Sequence, residues 1–117
     1  MNCKETNFLL ERDIKYLEQT ALVFRGKWKL LILLCLFDDK KRFSEIIKCV
    51  PKITTRMLSR ELKDLEANKL INRICEKTTH GIVEYQLTSF GKSLWPILEE
   101  MIKWPSLVQT VANSKSV

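Results

Sequence analysis

Pro51 constrains this chain more than any other residue. It stands inside a stretch, Phe43 to Lys69, whose composition otherwise suits continuous helix. Proline cannot donate a backbone hydrogen bond, and its ring clashes with the turn before it, so a helix must stop there. The stretch therefore divides into two short helices joined by Pro51, Lys52 and Ile53. Ser44 is placed to cap the first and Thr54 the second, each offering a side-chain oxygen to an orphan N–H. Two helices about so tight a joint follow the helix-turn-helix plan, in which the second helix enters a DNA major groove.

The second helix carries the chemistry such entry needs. At about 100° per residue, Leu58, Leu62 and Leu65 share one side and are expected to face a core. Arg56, Arg60, Lys63 and Ala67 fall on the opposite side within about 60°, flanked by Thr55 and Ser59. Glu61 is the one acid between Lys52 and Lys63, and it lies off that arc. Cationic side chains there would neutralise phosphates and release condensed counterions. Arginine's planar fork also matches guanine O6 and N7. Thr55, Arg56, Ser59 and Arg60 are candidates for base edges or nearby phosphates. Lys52 and Lys63 are candidates for phosphates, and Thr54 lies at the approaching helix end. A polar face alone is the rule for any surface helix; its position between a tight turn and a hairpin is what points to DNA.

That hairpin is read from Leu70–Cys75 and Ile82–Leu87, two alternating runs around a polar tip that ends in Gly81. Placed straight after the second helix, it has the position of a wing. Lys77, Thr79 and His80 at its tip are candidate DNA contacts, although a solvated turn would look the same. Upstream, Lys27–Phe37 is rich in leucine and predicts a helix buried on most sides, followed by a polar turn, Asp38 to Lys41. Downstream, Thr88 is expected to cap a last helix with Leu94, Ile97, Leu98, Met101 and Ile102 on its apolar face. Pro96 should kink that helix unless it is two pieces.

Phe8 to Phe24 predicts a long first helix. Leu10, Ile14, Leu17, Ala21 and Phe24 form one stripe along it. Such a stripe suits packing on its own domain or on a second subunit, and a helix this long outside the binding motif favours the second. The expectation is a mainly α protein with a small β-hairpin (α+β), a winged helix-turn-helix whose N- and C-terminal helices form a dimer interface. Leu10, Ile14, Leu17, Ala21, Leu98, Met101 and Ile102 would line it. Residues 1–112 form one domain: 8–24 and 88–112 for dimerisation, 27–87 as the core. Residues 113–117 are expected to be a flexible tail.

Composition excludes more than it selects. A net charge of +6 over 117 residues is compatible with a polyanionic partner. The longest apolar run, Leu30 to Phe37, has 8 residues, too few to span a bilayer. The first residues are polar and unlike a signal core, so a cytoplasmic protein is expected. Four cysteines lack disulfide-framework or paired spacing, and His80 is the only histidine, which argues against zinc. Cys35, inside the apolar run, is expected to be a small core residue. Gly91-Lys92-Ser93 imitates the end of a phosphate loop, but Gln86 stands where its first glycine belongs. No catalytic constellation is present, so a non-enzyme without cofactors is expected.

The ordered set of motifs resembles the HxlR family of winged-helix transcriptional regulators, a branch near the MarR regulators. The similarity runs from Gly26 to about Trp104. It includes Gly26-Lys27-Trp28, Arg42-Phe43-Ser44-Glu45, the run from Met57 to Glu66, Leu70-Ile71-Asn72-Arg73, Val83 to Thr88, and Gly91. The resemblance implies a homodimer on a near-palindromic double-stranded operator, with both terminal helices in the dimer contact. It also implies regulation of nearby genes, as repressor or activator. Some members sense oxidants or electrophiles through a cysteine shortly before the Gly-Lys-Trp segment. That position falls near Tyr16 here, so thiol sensing does not carry over. Lys69 replaces the usual glycine before the first strand, so Asn68 or Lys69 must take a left-handed turn. The alternatives are a docking module for an acidic protein, and DNA binding switched by cysteine oxidation or a small-molecule effector.

Overall fold

The structure, a computed structural model, describes residues 3–75 and 81–115. Its elements run α1 (Cys3–Val23), α2 (Trp28–Leu36), β1 (Lys41–Arg42), α3 (Phe43–Cys49), α4 (Thr55–Ala67), β2 (Ile71–Cys75), β3 (Val83–Leu87), α5 (Ser89–Lys92) and α6 (Trp95–Lys115). The three strands form one antiparallel sheet in the order β1-β3-β2. Ile71 faces Leu87 and Cys75 faces Val83 across the hairpin, while Lys41 faces Tyr85 on the other edge. This is the mainly helical, small-sheet architecture that the patterning predicts.

The core gathers around the leucine-rich α2. Ile32, Leu33 and Leu36 pack with Ile46 of α3, Leu58, Leu62 and Leu65 of α4, and Leu70, Ile71 and Leu87 of the hairpin. Burial of such side chains contributes about 1.5–3 kcal/mol each. Leu31 and Leu34 mark the one side of α2 that stays open, at 36% and 41% exposed.

Several boundaries differ from the sequence reading, each for a local reason. Lys41, read as the end of the turn, instead forms a strand with Arg42, because their backbone pairs with β3. The Lys41 ammonium also donates to the Cys35 carbonyl at 2.8 Å, holding this edge against the end of α2. The strand runs straight into α3, so Arg42 and not Ser44 is the N-cap, and its N–H donates to the Glu45 carboxylate at 3.0 Å. Thr88 caps only the short α5, accepting from the Gly91 N–H at 3.0 Å. Gly91 fits there because an added Cβ would lie 2.2 Å from the Leu70 carbonyl oxygen. The C-terminal helix is thus two pieces, and Pro96 falls in the first turn of α6, where no donor is needed. Pro105 is the proline inside that helix.

The expectation for α4 holds at both ends. Thr54 accepts from the Met57 N–H at 3.1 Å. At the other end Lys69 takes φ +62°, while the Leu70 N–H donates to Leu65 and the Lys69 N–H to Glu66, both at 3.0 Å. These paired bonds close the helix in the Schellman manner. In the joint before α4, Lys52 also adopts a left-handed conformation, at φ +66°.

Candidate nucleic-acid interface

α4 presents two opposed faces. Leu58, Leu62 and Leu65 are at most 2% exposed and fix the helix on the core. Thr54, Thr55, Arg56, Arg60 and Lys63 are exposed, Ser59 is half-buried, and Lys52 is exposed in the joint. The structure therefore brings seven of the ten predicted DNA-contact residues onto one end and one side of α4. Lys77, Thr79 and His80 lie outside the described residues.

The acids of α4 explain why that side is so one-sided in charge. Glu61 turns back toward α2, where Lys29 donates to its carboxylate, and Lys29 also reaches Asp64 at 3.4 Å. Lys29 is only 6% exposed. Burial opposes its charge, but hydrogen bonds and Coulomb attraction from Glu61 and then Asp64 outweigh this and hold its pKa above 10.5. An exposed pair contributes little, but one this far from water fixes geometry and is costly to break. Lys29 thus ties the middle of α4 to α2 and neutralises carboxylates that would otherwise sit beside Arg60. Sequence reasoning missed this role. The signal was a lysine set directly against the apolar run from Leu30 to Phe37.

The predicted interface residues separate into two groups. Leu10, Ile14 and Leu17 of α1 are 55%, 46% and 68% exposed, and Ala21 is exposed too. Their stripe is not covered by its own domain. Met101 and Ile102 of α6 are 44% and 55% exposed, alongside Ile97, Trp104 and Leu107. Leu98 is a correction: at 4% exposed it belongs to the core, one turn after Leu94, and has almost no side-chain surface left for a partner.

A capped basic helix, turned outward after a tight joint and followed by a hairpin, defines a winged helix-turn-helix protein. Comparison with known proteins narrows the class. The chain belongs to the HxlR-like helix-turn-helix family, whose model matches residues 23–112. It is 52% identical over 79 residues to an uncharacterised HTH-type transcriptional regulator of Methanothermobacter thermautotrophicus, covering 68% of this chain and 60% of that protein. The chain thus spans less than two-thirds of that relative's length. It is 45% identical over 87 residues to the HTH-type transcriptional regulator YdeP of Bacillus subtilis, covering 74% and 68% of the two chains. Among solved structures, the redox regulator HypR in its reduced form superposes with a TM-score of 0.74 at 39% identity, covering 84% of this chain and 97% of that one. The chain accordingly shares its family with HTH-type transcriptional regulators. Among the described residues no helix is long and apolar enough to cross a membrane.

Proposed function

We propose that two copies of this chain bind one near-palindromic double-stranded DNA site in the cytoplasm and so regulate nearby genes. The observation that carries the reading is the outward side of α4: Arg56, Arg60 and Lys63 are exposed while Leu58, Leu62 and Leu65 anchor the opposite side. Arg56 and Arg60 stand one turn apart and can address neighbouring base edges, with Lys52 and Lys63 on flanking phosphates. The bare stripes of α1 and α6 supply the apolar surface for a second copy, since exposed patches of this kind mark interfaces. A twofold pair would seat its two α4 helices in successive major grooves about 34 Å apart.

Selection of bound duplexes from a random pool tests this reading. It should enrich two inverted half-sites whose centres lie about 10 base pairs apart. A pool that shows no enrichment, or a single unrepeated half-site, would contradict it.

A further inference from the structure

Cys35 on α2 and Cys49 at the end of α3 are 14 positions apart in sequence, yet the fold brings both to the wall of one cavity. Both sulfurs are free of disulfides, and Cys35 is buried while Cys49 is exposed. The two line one cavity of about 240 Å³, with Leu31, Leu34, Val50 and Pro51 supplying apolar wall and Asp38 also lining it. A cavity of about 150 Å³ suffices to hold a benzene ring. Among the described residues no group of three or more His, Cys, Asp or Glu could hold a metal ion. What the structure offers is two soft donors beside an apolar space.

We propose that Cys35 and Cys49 form a dithiol site for a trivalent organoarsenical, RAs(OH)₂, with one As–S bond to each sulfur and the R group in the cavity. Each bond replaces one As–O bond. The thiol proton leaves with the displaced hydroxide, so one arsenical and two thiols give the cyclic adduct and two waters. Arsenic stays trivalent, and no oxidant enters the balance. Cys49 bonds first because it is exposed. The second bond is intramolecular and gains from the high effective concentration of a sulfur lining the same cavity.

The state of Cys35 favours this chemistry over attack on a peroxide. Burial first, and then the neighbouring Cys49, push its thiol from 9.0 up to about 12. Thiolate, the species a peroxide requires, is therefore scarce at neutral pH. The arsenical instead carries a hydroxide that accepts the thiol proton. Occupancy would strap α2 to the last turn of α3, two residues before Pro51 and the joint that leads into α4. Any effect on DNA rests on the function proposed above, whereas binding at the two thiols does not.

The probe is phenylarsine oxide on the full chain carrying Cys3→Ser and Cys75→Ser. Intact-mass spectrometry should show one adduct per chain with both remaining thiols consumed, and peptide mapping should place Cys35 and Cys49 of the same chain on it. Removing the adduct should take about a hundredfold more monothiol than in the Cys49→Ser or Cys35→Ser variants, while a dithiol releases it readily. Cys49→Ser alters an exposed position, so it provides the comparison even if Cys35→Ser fails to fold. An absent adduct, an adduct joining two chains, or equal monothiol sensitivity with and without Cys49 would overturn the proposal. Operator binding, measured on the same adduct, is a separate readout that leaves this result standing whichever way it falls.

Discussion

Lys69 shows what one residue costs and what it secures. Its φ of +62° places a β-carbon in a region that side chains other than glycine enter at about 1–2 kcal/mol. The chain accepts this because the turn lets the Leu70 N–H reach the Leu65 carbonyl and drops Leu70 into the core. Replacing Lys69 with Gly should raise stability by about 0.5–1 kcal/mol, less than the full relief because glycine loses more entropy on folding. Urea unfolding measures it, and no gain would mean the turn is unstrained. Two buried groups set the alkaline limit. The unfolded Cys35 thiol ionises near 9.0 but the folded one near about 12, so between them the unfolded chain binds fewer protons. Lys29, held above 10.5, stabilises fully below that value and loses its contribution as pH climbs through its folded pKa. Both signs agree: stability falls as pH rises above about 9. Thermal melts across that range should decline, and Cys35→Ala should flatten the early part of the slope.

At the level of elements, α4 was legible because its causes are local. A threonine cap, a three-to-four leucine repeat and an uninterrupted run of helix formers all lie within its own sequence. The hairpin was legible for the same reason, from alternation around Gly81. β1 was not, because two residues become a strand only when β3 is beside them, and that pairing joins residues 41–42 to 84–85. The start of α3 was misread in consequence. The division of the last helix was left open in the sequence because Pro96 fits either the middle of a kinked helix or the first turn of a new one. The tie between α2 and α4 was invisible for a third reason: Lys29 is 32 and 35 positions from Glu61 and Asp64 and meets them only in the fold. Lys29→Met should lower stability by about 2–4 kcal/mol, somewhat below the cost for a fully buried pair because Asp64 keeps much of its exposure. Pairing it with Glu61→Met should recover part of the loss. A single variant as stable as the parent would show that the contact contributes nothing.

On the scale of the whole molecule, the terminal helices carry the apolar surface that the core does not use. The heptad-like spacing of Leu10, Ile14 and Leu17 identified that surface in the sequence, and all three are bare in the structure. Leu98 was misassigned because a single apolar face was drawn for α6. That helix has two: its first turn closes the core through Leu98, beside Leu94 just ahead of the helix, and Met101, Ile102 and Trp104 then run outward. If α1 holds two copies together, Ile14→Glu with Leu17→Glu should shift the protein to monomer in sedimentation at micromolar concentration. The same variant should weaken binding to a two-half-site duplex far more than to a single half-site. An unchanged dimer would remove α1 from the interface.

The proposed recognition of duplex DNA turns on the outward arginines of α4. The most direct measurement is a titration of the selected duplex with the parent and with the Arg56→Ala/Arg60→Ala variant, repeated over a range of salt. The parent should bind with a steep linear fall of log affinity against log salt. Each arginine that contacts a base should cost about 1–3 kcal/mol on the selected site, with far less lost on unrelated duplex. A folded double variant that binds the selected duplex as tightly as the parent would contradict the account.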